Sequence, residues 1–76
     1  MIRILLSTRL GERRCTRADL SRATGILAAT INEMYHELSE KVSLEHLDRI
    51  CKVLECKVED ILSFEEDNEH IQKPHR

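Results

Sequence analysis

Apolar residues recur along most of this chain at the three- and four-residue spacing of a helix face. Ile2, Leu6 and Leu10 stand at i, i+4 and i+8 and predict a first helix over about 3–13, although Ile2-Arg3-Ile4 also alternates as an extended start would. Gly11 weakens the last turn of that helix by about 1 kcal/mol relative to alanine. Thr16 with Asp19 three positions on is close to a capping box, and Cys15 and Leu20 are spaced for the accompanying hydrophobic staple, so a second helix begins at Arg17. It turns Leu20 and Ala23 inward, places the small Ser21 where the next helix must cross closely, and ends near Thr24, because Gly25 readily takes the left-handed conformation that stops a helix. A third helix over about 28–36 buries Ile31 and Met34, with Ile26 joining them from the turn. Ala28, Ala29, Thr30, Asn32, Glu33 and His36 are left on or near its outer side. Leu27 stands at the cap position of this helix without an oxygen to cap with, a local violation of helix chemistry.

After the polar connection ELSEKV (37–42), Ser43 caps a fourth helix over 44–54, with Val42 and Leu47 as its staple and Leu44, Leu47, Ile50, Cys51 and Leu54 as its apolar stripe. Val58, Ile61, Leu62 and Phe64 form a short fifth helix. From Glu65 the periodicity stops, and EEDNEHIQKPHR reads as an acidic, disordered tail. The expected organisation is thus one all-α domain of five helices over 1–64, followed by a tail over 65–76.

Seventy-six residues leave room for one small core, aliphatic because Tyr35 and Phe64 are the only aromatic rings. A core of that size needs near-ideal helix packing or a partner subunit. No apolar run approaches the roughly 18 residues of a membrane span, and no charged-then-apolar leader opens the chain, so the expectation is a cytoplasmic protein without a membrane partner. Net charge is −2, but it is divided: residues 1–30 carry six arginines against two acids, and residues 31–76 six basic against twelve acidic groups. A basic half beside an acidic half points to nucleic-acid contact on the basic side, and arginine is the better phosphate partner. Cys15, Cys51 and Cys56 are an odd set with no zinc-like spacing, each in an apolar slot, and read as small buried hydrophobes.

Catalysis finds little support. His70 and His75 lie in the tail, His46 on an exposed turn, and there is no phosphate-cradling glycine loop or sheltered carboxylate pair. Glu66, Asp67, Glu69 and His70 read as a solvated acidic run and not as a metal site; no cofactor and no small-molecule effector are expected. Two short helices joined by a glycine turn are, however, the sequence form of a helix-turn-helix, whose second helix enters the DNA major groove while the first crosses the backbone. Arg17 at the start of the second helix is placed to hold a phosphate together with the helix amides. Arg9, Arg13, Arg14 and Lys41 are further candidates for the backbone. Asn32 has the chemistry to pair bidentately with adenine, Glu33 to accept from cytosine N4, and Ala28 or Ala29 to touch a thymine methyl. Taken singly, Asn32 and Glu33 fit the solvated face of an amphipathic helix equally well.

The order TRADLSRATGI–LAATINEMYH–VSLEHLDRICKVLECKVEDIL resembles the Cro/C1-type (lambda-repressor-like, XRE) helix-turn-helix domain. Thr16, Leu20, Gly25, Thr30, Ile31, Ser43, Leu44, Leu47, Ile50, Leu54, Asp60, Ile61 and Leu62 sit on that pattern, which covers about residues 4–64. The short single-domain form is also similar to small regulators of bacterial resistance operons, including the VanU type. The resemblance implies a five-helix fold and a transcription regulator that binds double-stranded DNA, usually as a homodimer on two half-sites. It also implies DNA contacts at Thr16 and Arg17, at Ala28, Ala29, Thr30, Asn32, Glu33 and His36, and at Lys41. The chain departs from the pattern where Arg17 replaces the usual Gln, Ser21 the usual Ala, and Arg14 the glycine that commonly ends the first helix. Leu27 also replaces the usual cap, and Ala28-Ala29 the longer reading side chains. A protein-interaction module on the same fold, antitoxin-like or anti-repressor, is the other reading of the acidic second half and the alanine-rich helix start.

Overall fold

Leu20, Ile31 and Ile50, one from each of three helices, are shut off from solvent and mark the centre of the fold in the computed structural model, which describes residues 1–66. The elements run β1 (Ile2–Ile4), α1 (Leu6–Arg13), α2 (Arg17–Thr24), α3 (Ala28–Tyr35), α4 (Leu44–Leu54), α5 (Val58–Ile61) and β2 (Leu62–Phe64). The five expected helices are present, and the acidic run beyond Glu66 lies outside the described residues.

The ends of the domain depart from expectation. The first helix starts at Leu6 and not near residue 3, and Leu62 and Phe64 leave the fifth helix for a strand. The two strands pair antiparallel with Ile2 opposite Phe64, Arg3 opposite Ser63 and Ile4 opposite Leu62. Met1 and Glu65 extend this ladder by exchanging backbone bonds of 2.6 and 2.8 Å, and Leu5 N donates to Ile61 O at 2.6 Å. Both tripeptides read apolar-polar-apolar, so one sheet face is apolar; Ile4 and Leu62 pack toward the core while Ile2 and Phe64 stay exposed. The β-branched Ile2 and Ile4 favour the extended state once a partner strand is present.

The caps behave as their chemistry requires. Asp19 N donates to Thr16 Oγ1 (3.0 Å) and Thr16 N to Asp19 Oδ2 (3.3 Å), closing the capping box of α2. The Thr16 amide first, and the Thr16 hydroxyl after it, hold the Asp19 carboxyl below its usual range. Ser43 Oγ accepts from Glu45 N and His46 N at the start of α4. Among the described residues, three that are not glycine, Arg14, Glu37 and Glu55, take left-handed backbone angles near φ +55°, the first of them at the end of α1.

Two side chains face the other way from the sequence pattern. On α2 it is Thr24 and not Ala23 that is buried: its Oγ1 donates to Leu20 O (2.7 Å) and accepts from Ile26 N (3.2 Å), so the hydroxyl enters the core fully satisfied. On α4, Leu44 is 81% exposed and the stripe narrows to Leu47, Ile50 and Leu54. The three cysteines are half-buried free thiols against the core edge.

One ion pair ties the amino-terminal strand to the loop after α3. Arg3 donates Nε and Nη2 to the two carboxylate oxygens of Glu37 (2.7 and 2.8 Å), and Glu37 Oε1 also accepts from Ile4 N (3.2 Å). Arg3 and the Ile4 amide hold the Glu37 carboxyl down at about 2. A carboxyl depressed in the folded state stabilises above its unfolded pKa and loses that contribution as pH falls through its folded pKa. The thermal midpoint of wild type is therefore expected to fall between about pH 4.5 and 2 more steeply than that of Glu37→Gln, followed by circular dichroism. Parallel acid limbs in the two proteins would contradict the role given to this pair.

Candidate nucleic-acid interface

The turn between α2 and α3 is built from side chains as much as from glycine. Gly25 sits at φ 78° and its N–H bonds back to Ser21 O at 2.9 Å. Ser21 Oγ donates to Ile26 O (2.6 Å), and Arg49 Nη1 reaches over from α4 to Thr24 O (3.3 Å). Ile26 drops into the core while Leu27, one residue on, stays 75% exposed. The turn thus fixes the direction of α3, and Ile31 and Met34 anchor it from below.

The first turn of α3 is bare. Leu27 gives no side-chain cap, the turn carries no acid, and Ala28 and Ala29 are exposed. Acids in a first turn are ordinarily stabilising because the helix end carries partial positive charge. Here that charge is left open to solvent. Thr30 is half-buried, Asn32 and Glu33 are exposed on the same helix, and the exposed His36 is its C-cap.

Arg17 is exposed, yet its side chain folds back onto α3. Its guanidinium carbon lies 4.4 Å from the centre of the Tyr35 ring. Nη1 donates to Asn32 Oδ1 at 3.2 Å and lies 3.2 Å from His36 Nε2. The Tyr35 and His36 rings meet edge to face at 5.0 Å. Arg17, Asn32 and His36 are therefore one cluster, bridging the start of α2 and the far end of α3. Tyr35, which the sequence pattern does not single out, is its platform. Thr16 belongs to the same edge through its capping role. Lys41 is exposed in the loop before α4, apart from this cluster.

The other arginines of the basic half are mostly occupied. Arg9 donates to Asp60 O (2.7 Å) and pairs with Glu12 (2.8 Å), which fastens α1 to α5. Arg13 reaches Glu55 O (3.2 Å), and Arg22 pairs with Asp19. Intramolecular partners therefore absorb much of the charge that marks residues 1–30 as basic. Beside the cluster an open cleft of about 260 Å³ runs along Ser7, Leu10, Gly11 and Cys15 to Arg17 and Tyr35. That is below the usual size of a pocket that encloses a small molecule, about 300 Å³ and upward.

Residues 6–67 match the family model of the Cro/C1-type HTH DNA-binding domain. Over 66 residues, 87% of this chain and 79% of the relative, the sequence is 31% identical to YozG of Bacillus subtilis (strain 168), an uncharacterized HTH-type transcriptional regulator. No helix among the described residues is long and apolar enough to cross a membrane.

Proposed function

The chain belongs to the Cro/C1-type helix-turn-helix DNA-binding family, and from that premise we propose that it regulates transcription as a homodimer that sets α3 into the major groove of duplex DNA. The observation that carries this reading is the first turn of α3, where Ala28 and Ala29 are exposed, no side chain caps the helix and no acid stands. An uncompensated helix end of this kind suits an anionic partner, and the short side chains of Ala28 and Ala29 let the backbone there approach closely. In this reading Thr16, Arg17 and Lys41 hold phosphates. Arg17 retains Nε and Nη2 for that purpose, since only Nη1 is turned toward Asn32 and His36. Ala28, Ala29, Thr30, Asn32, Glu33 and His36 face the bases.

Pairing of two copies is supported by the small sheet. The hydrogen-bonded pairs flanking Phe64 turn its own N–H and C=O toward the outer edge of β2, whereas the outer edge of β1 is covered at Ile4 by Glu37. Phe64 and its cross-strand partner Ile2 are 69% and 60% exposed. An open antiparallel edge is self-complementary, and two such β2 edges joined about a two-fold axis would bring the two Phe64 side chains onto one continuous sheet.

Selection of bound sequences from a random duplex library tests this. Enrichment of inverted repeats with half-site centres about one helical turn, roughly 10 bp, apart is the expected result. Retention should fall steeply with added salt, as several phosphates are neutralised. Failure to enrich any duplex at low salt would overturn the reading in favour of a protein-interaction module, for which the exposed Leu38 and Leu44 would be the first surface to probe.

A further inference from the structure

We propose that Arg17 is a positioning residue for base readout, which turns Asn32 into a hydrogen-bond donor toward the groove and so directs it to guanine or thymine instead of adenine. The inference rests on the reading that α3 enters the major groove. Its physical basis lies in the cluster already described. A guanidinium has only N–H donors. The Asn32 atom 3.2 Å from Arg17 Nη1 is therefore the carbonyl oxygen, and the His36 nitrogen at the same distance is unprotonated. The two hydrogens of Nη1 serve one acceptor each. The guanidinium lies over the Tyr35 ring at 4.4 Å, a stacked cation–aromatic contact that holds it against α3.

Bidentate recognition of adenine requires an asparagine to present its oxygen to N6 and its nitrogen to N7 together. An Asn32 amide whose oxygen is turned to Arg17 presents its NH2 edge outward. The major-groove partners of a donor are O6 and N7 of guanine and O4 of thymine, and adenine offers it N7 alone. The same contact sets His36: with Nε2 accepting from Arg17, the ring proton is on Nδ1. Arg17, which takes the place of the family's usual Gln, thereby links a phosphate contact to the polarity of a base contact through one side chain.

Two readouts on wild type, Arg17→Ala and Asn32→Ala test the proposal. The exposed position of Arg17 allows Arg17→Ala to fold, which its far-UV circular dichroism checks. In the free proteins, two-bond nitrogen–proton NMR correlations should show His36 protonated on Nδ1 in wild type and on Nε2 in Arg17→Ala. In duplex selection, wild type should prefer guanine or thymine at one position by about tenfold, a preference that Asn32→Ala erases and Arg17→Ala shifts toward adenine. The proposal is overturned by an Nε2-protonated His36 in wild type, or by an adenine preference that Asn32→Ala removes. Uniform weakening by Arg17→Ala with unchanged base preferences would overturn it as well. A wild type that enriches no duplex would end the DNA reading and this readout together, while the NMR result would independently decide whether Arg17 orients His36.

Discussion

Ile31→Ala is expected to lower the thermal midpoint by about 15 °C or more, because it costs about 3 kcal/mol in a domain where each kcal/mol is worth roughly 4–8 °C. Ile31 is fully buried, and α3 is only eight residues long with no cap and little tendency to form alone. Ile31 and Met34 are the buried residues by which this helix is held. Domains of this size have about 3–5 kcal/mol to lose, so the substitution removes most of the stability and releases the helix assigned to DNA. Leu44→Ala makes the control. The hydrophobic stripe places Leu44 inside, yet it is 81% exposed, and its loss should change the stability by no more than about 0.5 kcal/mol. Melts followed at 222 nm check both, and similar midpoints for the two variants would contradict the core described here.

Ala29→Glu is the second large effect, and it separates folding from function. Ala29 is exposed in the first turn of α3, where no acid stands. A glutamate there meets the positive end of the helix and should leave the midpoint unchanged or raise stability by about 0.3–1 kcal/mol. Against DNA the same carboxylate faces the phosphates and cannot accept from most base edges. A single unfavourable base contact costs about 1–3 kcal/mol, and a buried like charge lies at the top of that range, so affinity should fall about 100-fold. An exposed helix start without an acid is consistent with the proposal that this surface meets an anion.

Much of this arrangement was readable from local chemistry. Thr16 with Asp19, Gly25, and Ser43 define the ends of α2 and α4 because caps and left-handed turns act over three or four residues. The strands were not readable in the same way. Ile2-Arg3-Ile4 finds its partner some 60 residues away, and Leu62-Ser63-Phe64 alternates too briefly to stand out from the helix that precedes it. Matching the two tripeptides as apolar-polar-apolar partners was the available signal. Thr24 misleads for another reason: a polar residue enters the core when its hydroxyl has a carbonyl and an amide to bond, and that geometry belongs to the turn. The candidate contact residues fall largely along one helix, as their spacing implied. What spacing could not reveal is that Arg17 folds back on Tyr35 and draws Asn32 and His36 together, since that depends on how α2 and α3 cross. The charge division was the least faithful guide, because Arg3, Arg9, Arg13 and Arg22 are engaged within the domain.

Fluorescence anisotropy on a labelled duplex taken from the selection shows whether the bare first turn of α3 reads DNA. Wild type and Ala29→Glu are titrated side by side at low salt, with their thermal midpoints measured in the same buffer. Equal or higher stability for Ala29→Glu together with about a 100-fold loss of affinity is the expected result. Undiminished binding by Ala29→Glu would contradict this reading of α3.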